Sequence, residues 1–157
     1  MKNIIRFSLL VLLAYLLTNT AIFSQSGGSV NSAEFDHTTV HVRDLQKSAN
    51  FYEKVFGLQQ MKHPFHDTNH VWFRVGAHQQ LHVVGDAKEA SASPDIEVHF
   101  AFRVPSIPDF TTHLDQMQVK YRSFDGSGKV TNRPDGVHQI YFQDPDGYWI
   151  EVNDNKF

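Results

Sequence analysis

The sequence contains no cysteine among its 157 residues. This absence excludes disulfide bonds, thiolate metal ligands, a catalytic cysteine and a lipidated cysteine anchor. The chain also lacks a block of basic residues, because its 14 lysines and arginines are scattered among 17 acidic residues and the formal net charge is −3. We therefore expect no nucleic-acid-binding surface.

Histidine is the residue type that is unusually frequent in this chain. There are ten histidines, and histidine is the commonest metal ligand in proteins. Hydrophobic residues make up 41% of the chain and aromatic residues 13%, which is enough for a packed core. The length fits one domain, or two small repeated modules that share a core. What matters for function is whether the histidines are organised along the chain.

The N-terminus has the pattern of a secretory signal peptide. Lys2 and Arg6 precede a nearly unbroken apolar run, Phe7 to Leu17, and small and polar residues follow it. A basic start, an apolar run of about 7–15 residues and a small-residue exit are typical of such signals. Because a membrane-spanning helix needs about 20 apolar residues, an uncleaved membrane anchor is the less favoured alternative. We predict a signal peptide over residues 1–25, a linker over 26–34, and export to the periplasm or the cell exterior.

Residues 35–86 predict a first β-α-β-β-β module. The segment 35–42 alternates like a half-buried strand, with His37, Thr39 and His41 on one face. A stripe of apolar residues at helical spacing follows, between a capping aspartate and a terminating glycine. Three further strands are predicted near residues 58–62, 71–75 and 80–84.

Residues 96–154 predict a second module with the same order of elements. A strand over 96–104 places His99 and Arg103 on one face, and an amphipathic helix follows it. Three further strands are predicted near residues 119–123, 137–143 and 149–153. Each module alone is too small to bury its core well, so we expect the two to pack together as one α+β domain over residues 35–155.

The turn of the last hairpin indicates the register of its two strands. The sequence Asp-Pro-Asp-Gly at 144–147 has the composition of a type I turn. If its glycine forms the left-handed bulge, Tyr141 lies opposite Glu151, and both face the same side as Trp149 and Gln139. A two-residue loop would instead place Ile140 opposite Glu151.

Four side chains of the kinds that bind metals occupy equivalent positions in the two modules. His37 and His99 lie on the first strands, and His82 and Glu151 lie on the last strands. If the modules share a curved sheet, all four converge on one point. Three imidazoles and a carboxylate suit one divalent metal ion such as Fe, Mn, Ni, Co or Zn. The alternative is that each histidine is structural or faces solvent.

Two segments resemble the vicinal oxygen chelate superfamily: HTTVHVRDLQKSANFYEKVFGL from His37 and IYFQDPDGYWIEVND from Ile140. This superfamily includes glyoxalase I, bleomycin-resistance proteins, fosfomycin-resistance transferases and extradiol dioxygenases. The resemblance implies paired β-α-β-β-β modules that form an eight-stranded mixed-sheet cup around a metal. It also implies that the ligands come from the first and last strands of each module, which here are His37, His82, His99 and Glu151.

Two positions depart from the pattern of glyoxalase I. His82 stands where glyoxalase I usually has glutamate, and His41 stands where it has an arginine used for glutathione. Both differences weaken an assignment as a glutathione lyase. The set His37, His99 and Glu151 resembles the two-histidine, one-carboxylate triad of extradiol dioxygenases, although most of those have four modules rather than two.

The resemblance implies a metal-dependent enzyme that acts on a small, oxygen-rich molecule. The expected reaction is a glyoxalase-like proton transfer of the lyase or isomerase type, or ring cleavage by an Fe(II) dioxygenase, with Glu151 as general base. The alternative is a protein of the bleomycin-resistance type that sequesters a small molecule without turnover. Superfamily members build the cup within one chain or across a homodimer, and the sequence leaves both open. Candidate substrate-binding residues share the face of the ligands: Thr39, His41, Arg103, Tyr141 and Trp149.

Overall fold

The computed structural model describes residues 32–89 and 92–156. The segment Phe35–Phe157 forms one compact unit, which contains both predicted modules. The predicted signal peptide and most of the predicted linker lie outside the described residues, so export and cleavage stay predictions. Across the part of the chain that the structure describes, no helix is long and apolar enough to span a membrane.

The first module has the predicted β-α-β-β-β order. Its elements are β1 (His37–His41), α1 (Leu45–Phe56), β2 (Gln59–Met61), β3 (His70–Val75) and β4 (Gln79–Val84). The strands form one sheet in the order β1-β4-β3-β2. Strand β1 runs parallel to β4, whereas the other neighbours are antiparallel. The first and last strands of the module are therefore adjacent.

The second module repeats this topology. Its elements are β5 (His99–Arg103), α2 (Ile107–Gln116), β6 (Thr131–Asn132), β7 (His138–Gln143) and β8 (Trp149–Asn153). The sheet order is β5-β8-β7-β6, with β5 parallel to β8 and the other pairs antiparallel. The predicted duplication and the α+β fold class with paired modules are confirmed. The eight strands form two separate four-stranded sheets.

Local hydrogen bonds explain where both helices begin. The Asp44 carboxylate accepts from the Lys47 N–H at 3.0 Å, and the Ser106 hydroxyl accepts from the Asp109 N–H at 3.3 Å. These side chains satisfy main-chain donors that the first turn of a helix leaves unpaired. Helix α1 ends at Gly57, whose φ of 65° lies in the left-handed region that glycine adopts without strain.

The second predicted strand of the second module differs from the structure. The segment 119–123 is not an extended strand, because it contributes only an isolated bridge between Arg122 and Tyr141. Its main chain instead closes a turn, in which the Ser123 N–H donates to the Gly128 carbonyl at 2.8 Å. On the side away from β8, the partner of β7 is the two-residue strand β6, which lies between the strands predicted near residues 119–123 and 137–143.

The first strand of the second module is shorter than predicted. It begins at His99 rather than at residue 96. Asp95 is the cause, since its carboxylate accepts from the Glu97 N–H at 3.0 Å and its carbonyl accepts from the Val98 N–H at 3.0 Å. A turn therefore precedes the strand, in agreement with the tendency of aspartate to bond to nearby main-chain groups.

The predicted register of the last hairpin is confirmed. Tyr141 pairs with Glu151, and Gly147 has a φ of 93°, so the glycine forms the left-handed bulge. The alternative pairing of Ile140 with Glu151 is wrong. Because side chains alternate along a strand, this register puts Tyr141 and Glu151 on the same face of the sheet.

Each first strand turns one face to the core and the other away from it. In β1, Val40 is buried, whereas His37, Thr39 and His41 are exposed. Strand β5 repeats the pattern, since Phe102 is buried and the residues on either side of it are exposed. The face that carries the predicted first-strand ligands therefore lies outside the hydrophobic core in both modules.

The turn of the last hairpin is bonded to the first module. The Tyr52 hydroxyl donates to Asp144 Oδ2 at 2.6 Å, and the Ser48 hydroxyl donates to Asp146 Oδ2 at 2.9 Å. Arg43 Nε donates to Asp146 Oδ1 at 2.9 Å. Burial, together with the neighbouring Asp144, raises the pKa of Tyr52 well above its ordinary value. The tyrosine therefore stays protonated and remains a donor at neutral pH.

We expect Tyr52→Phe to lower the free energy of unfolding by about 1–3 kcal/mol, because it leaves a buried carboxylate without one donor. Urea denaturation measures this change. The matched control is Tyr121→Phe, whose exposed hydroxyl donates to Asp115 at 3.3 Å and whose loss should change stability by less than about 0.5 kcal/mol. Equal losses in the two variants would contradict this account.

Candidate metal and substrate site

The parallel pairing of first and last strands has the same register in both modules. Thr39 lies opposite His82 in the β1–β4 pair, and Ala101 lies opposite Glu151 in the β5–β8 pair. His37 precedes Thr39 by two positions, and His99 likewise precedes Ala101. Residues two apart on a strand face the same side. Each module therefore sets a first-strand histidine beside a last-strand ligand.

In the second module this pair is His99 and Glu151, which we call the second half-site. His99 Nε2 lies 3.3 Å from Glu151 Oε2. His99 Nδ1 lies 2.7 Å from the carbonyl oxygen of Ile96, and a carbonyl only accepts hydrogen bonds, so Nδ1 is the donor. In the neutral ring, Nε2 then carries the lone pair that faces the carboxylate. A proton or a metal ion between these two atoms would satisfy both.

The Glu151 carboxylate is held by donors on both oxygens. Oε1 accepts from Gln139 Nε2 and from Asn153 Nδ2, each at 2.7 Å, and Oε2 accepts from the Tyr141 hydroxyl at 2.5 Å. Burial opposes ionisation, but the hydrogen bonds from Tyr141, Asn153 and Gln139, together with His99, hold the pKa of Glu151 below its usual range. The side chain is therefore an oriented, ionised carboxylate at neutral pH.

In the first module the pair is His37 and His82, which we call the first half-site. Their rings stack with centroids 4.2 Å apart and planes 19° apart. His37 Nδ1 lies 2.6 Å from Asp36 Oδ2, and His82 Nε2 lies 2.8 Å from Gln80 Oε1. Burial, together with the neighbouring His37, lowers the pKa of His82. His82 is thus neutral at neutral pH, which is the form of imidazole that binds metals.

The two half-sites stay separate within one chain. Over residues 32–89 and 92–156, no three histidine, aspartate or glutamate side chains form a group able to hold a metal ion. The structure therefore brings the four predicted ligands together as two pairs and not as a single set. Metal binding itself stays a prediction.

Three of the predicted substrate-binding residues lie at the exposed side of the first strands. Thr39 and Arg103 are exposed on the same faces as His37 and His99. His41 is also exposed, but its Nε2 lies 2.8 Å from the carbonyl of Gly85, which leaves Nδ1 as the nitrogen available to a ligand.

The other two predicted substrate-binding residues are bonded within the second module. The Tyr141 hydroxyl donates to Glu151, so it orients the carboxylate. Trp149 Nε1 donates to the carbonyl of Pro94 at 3.1 Å, and the Arg122 guanidinium lies 5.0 Å from the centre of the Trp149 ring. Their contact with a substrate stays a prediction.

Three residues of the site are absent from the sequence-based set. Gln139 and Asn153 hold the Glu151 carboxylate, and Trp72 stacks on His82. The predicted hairpin register already places Gln139 on the face of Glu151, and the same alternation along β8 extends to Asn153. No such signal exists for Trp72, because the turn chemistry that fixes the register of the last hairpin has no counterpart at β3.

The fold and the site define a class of protein: two β-α-β-β-β modules with ligand-type side chains on the first and last strand of each. The chain belongs to the Glyoxalase/Bleomycin resistance protein/Dioxygenase superfamily, whose family model matches residues 34–152. This confirms the resemblance to the vicinal oxygen chelate proteins.

Two curated relatives cover most of the chain. The uncharacterized protein YwbC of Bacillus subtilis is 30% identical over 123 residues, which are 74% of this chain and 93% of the relative. Lactoylglutathione lyase of Pseudomonas putida is 23% identical over 166 residues, covering 86% of this chain and 92% of the relative. The relatives thus include an enzyme of the glyoxalase type.

Solved structures share the fold. Lactoylglutathione lyase from Agrobacterium tumefaciens superposes with a TM-score of 0.60 and 21% identity, over 80% of this chain and 96% of that one. The fosfomycin resistance protein FosX from Listeria monocytogenes gives a TM-score of 0.63 and 18% identity, over 80% and 96%. At this identity the likeness shows a common architecture.

We expect Tyr141→Phe to raise the pKa of Glu151 in metal-free protein, because the carboxylate loses a hydrogen bond that favours its charged form. A carboxyl with a lowered folded-state pKa stabilises the fold above its unfolded pKa, and this contribution is lost as the pH falls through the folded pKa. In the variant this contribution should therefore be smaller, and its loss should be complete at a higher pH. Carbon-13 NMR of the glutamate carboxyls measures the titration.

Tyr148→Phe is the control for this titration, since the Tyr148 hydroxyl contacts the main chain of His41 rather than Glu151. We expect the pKa of Glu151 to be unchanged there. The same pKa in wild-type protein and in Tyr141→Phe would contradict the role given to the phenol.

Proposed function

We propose that this chain is an exported, metal-dependent enzyme of the superfamily that acts on a small, oxygen-rich molecule. The observation that carries the proposal is the equivalent placement of two ligand pairs in a duplicated fold. His37 with His82, and His99 with Glu151, occupy the same register of the same parallel strand pair. Coincidence at four equivalent positions is a poor explanation for side chains that all suit a metal.

The donor set fits a divalent transition-metal ion. In each half-site, the first-strand histidine holds Nδ1 against an oxygen, from Asp36 for His37 and from Ile96 for His99. This leaves Nε2 as the ligand atom, which is the usual arrangement of metal-binding histidines. Three imidazoles and one carboxylate suit Fe, Mn, Ni, Co or Zn.

We propose that a homodimer completes the site. Strands β1 and β5 each lie at the edge of a four-stranded sheet, and edge strands offer unpaired main-chain groups to a second chain. In the proposed two-fold dimer, β1 of each copy lies beside β5 of its partner. The first half-site of each copy then joins the second half-site of the partner, so the dimer holds two complete sites. Such a dimer explains why each chain carries two separated pairs.

A divalent ion held by these ligands would polarise adjacent oxygens of a bound substrate and increase the acidity of a neighbouring C–H group. Glu151 is the proposed general base, and its Oε2 would take up the proton on loosening from the ion. Burial and the adjacent Glu151 raise the pKa of Tyr141, so the phenol keeps its proton and orients that oxygen. The proposed reaction is a glyoxalase-like proton transfer, or ring cleavage by a dioxygenase if the ion is Fe(II).

The exposed residues beside the ligands are proposed to hold the substrate. Arg103 lies on the face of His99 and suits an anionic group. Thr39 and His41 lie on the face of His37 and offer hydrogen bonds to substrate oxygens. Trp149 offers an aromatic ring beside Glu151.

Two double variants test the metal site and the dimer together. His37→Ala with His82→Ala destroys the first half-site, and His99→Ala with Glu151→Ala destroys the second. We expect each variant alone to bind no stoichiometric metal by elemental analysis and calorimetry. A mixed dimer that contains one subunit of each variant can be made by co-expression with two different tags. It should regain one of the two sites of the wild-type dimer, because its two intact half-sites come from different subunits and meet once.

The outcomes of this experiment separate the alternatives. A mixed dimer that stays free of metal, when the wild type binds it, would show that one chain builds the whole site. Wild-type protein that binds none of the five metals would overturn the metal-dependent enzyme and favour a non-catalytic binding protein. The control is His138→Ala, because His138 pairs with Asp154 outside both half-sites and its loss should leave metal content unchanged.

We also propose export, on the basis of the basic start and the apolar run Phe7 to Leu17. Expression in a bacterium that secretes through such signals, followed by intact-mass measurement, tests it. The expected product lacks a segment that ends near Ala21 or Ser24. A product that keeps its N-terminal residues would overturn cleavage.

A further inference from the structure

Arg122 carries a positive charge on the face of the second sheet that holds the second half-site. Its main chain forms an isolated bridge with Tyr141, in which each N–H donates to the other residue's carbonyl at 2.9 Å. Residues directly opposite each other in an antiparallel pair point to the same side. Because Tyr141 pairs with Glu151 in the same way, the Arg122 side chain lies on the face of the Glu151 carboxylate.

The aromatic ring of Trp149 holds the Arg122 guanidinium in place. The guanidinium carbon lies 5.0 Å from the centre of that ring, which is within the range of a cation–π contact. The indole is itself fixed, because its Nε1 donates to the carbonyl of Pro94 at 3.1 Å. Trp149 is the ladder partner of His99 in the β5–β8 pair. The cation therefore lies over the residue next to His99 in the sheet.

A glycine leaves room for the other end of the guanidinium. A side-chain carbon at Gly126 would lie 2.7 Å from Arg122 Nη1, which is too close for two such atoms, and the glycine also has a φ of 73°. The Nη1 end therefore packs against the main chain of the loop. An indole and a loop backbone together position the cation before a ligand is present, and this lowers the conformational cost of binding one.

No carboxylate of the chain neutralises Arg122 within the described ranges 32–89 and 92–156, where none of the ion pairs involves this residue. Arg43 and Arg133, by contrast, are each paired with an aspartate. The Glu151 carboxylate accepts its hydrogen bonds from neutral side chains, so Arg122 does not hold it either. A guanidinium has five N–H donors, and this half-buried one keeps donors for an anion from outside the chain.

We propose that Arg122 is an anion-binding residue of the site, whose guanidinium binds a carboxylate or phosphate group of the small-molecule substrate. The inference rests on the proposed function and assigns its substrate to the organic anions. A guanidinium presents a planar fork of N–H groups that matches two oxygens of either group. On the face of Trp149 that the guanidinium covers, a ligand meets the cation before it meets the ring.

Arg122 is better placed than Arg103 for a substrate whose oxygens lie at the second half-site. Arg103 is four residues from His99 along β5, or about 13 Å at about 3.3 Å per residue. The Arg122 guanidinium instead reaches the strand position directly beside His99. A small molecule can therefore contact Arg122 and the half-site at the same time.

An NMR titration of metal-free, full-length protein tests the assignment with two probes, inorganic phosphate and benzoate. We expect at least one probe to shift the Arg122 Nε–H and Trp149 indole N–H signals saturably, because both groups border the proposed anion. The probe that binds more tightly distinguishes a phosphate-bearing substrate from a carboxylate-bearing one. Sodium chloride at equal ionic strength is the reference for screening, and it should not reproduce the shifts.

Two variants of Arg122 separate its charge from its shape, with affinity followed at the Trp149 indole signal. Arg122→Gln removes both, and we expect the affinity for the probe to fall about tenfold or more, because charge-assisted hydrogen bonds are lost. Arg122→Lys keeps the charge without the planar fork and should recover only part of the affinity.

The matched control is Lys129→Gln, which removes one positive charge from a similar setting. Lys129 Nζ lies 5.0 Å from the centre of the Tyr121 ring, but it is already ion-paired with Asp115 at 3.7 Å. Its loss changes the net charge as much as Arg122→Gln does. We expect the affinity for either probe to stay the same in this variant.

Each result decides the question. Wild-type protein that gives no saturable shift, or whose shifts sodium chloride reproduces, overturns the anion site. Equal affinity in wild-type protein and Arg122→Gln also overturns it, as does equal weakening in Arg122→Gln and Lys129→Gln, because the effect would then be one of net charge. Any of these results leaves the metal-dependent enzyme standing. Probe binding that depends on Arg122, in protein that binds none of the five metals, supports the anion site and overturns the metal-dependent enzyme.

Discussion

The parallel pairing of the first strand with the last strand of each module is the constraint on which the site depends. Within a β-α-β-β-β unit this pairing brings together residues that are far apart in sequence, and it does so with a fixed register. Since side chains two positions apart share a face, a histidine near the start of the first strand meets a ligand on the last strand. Because the module is duplicated, the same contact between a first-strand histidine and a last-strand ligand occurs in both modules. One chain therefore has two half-sites.

The two half-sites are held by different physical means. In the second half-site, hydrogen bonds to both oxygens overcome burial and keep the Glu151 carboxylate charged. In the first half-site, burial keeps His82 neutral and stacked rings orient it. One half therefore offers an anionic oxygen with a histidine, and the other offers two neutral nitrogens. Together they form a set that suits a transition metal better than Mg²⁺ or Ca²⁺, which prefer oxygen ligands.

The sequence predicts the elements whose determinants are local. The Asp-Pro-Asp-Gly turn at 144–147 fixes the register of its hairpin, and the alternation of β1 and β5 shows which face carries His37 and His99. Strand β6 was missed because two residues in a glycine-rich loop have no periodicity of their own. The stack of Trp72 on His82 was missed for a similar reason, since the register of β3 follows from sheet packing rather than from a turn motif.

The separation of the half-sites is the feature that sequence patterns could not reveal. Spacing along the chain shows that His37, His82, His99 and Glu151 are equivalent, but it does not say whether the two sheets of one chain face each other. That depends on long-range packing, including the contacts of Tyr52, Ser48 and Arg43 with the last hairpin. Given two pairs on faces turned away from the core, a second copy of the chain is the natural source of the missing ligands.

X-ray absorption spectroscopy of Zn(II)-loaded wild-type protein tests the central claim most directly. If the two kinds of half-site share one ion, the spectrum should show about three imidazole nitrogens together with oxygen, at the Zn–N distance of about 2.0–2.1 Å that is usual in proteins. A spectrum with two imidazoles and no carboxylate, or with one imidazole and a carboxylate, would mean that a single half-site binds the ion. Either spectrum would contradict the shared site.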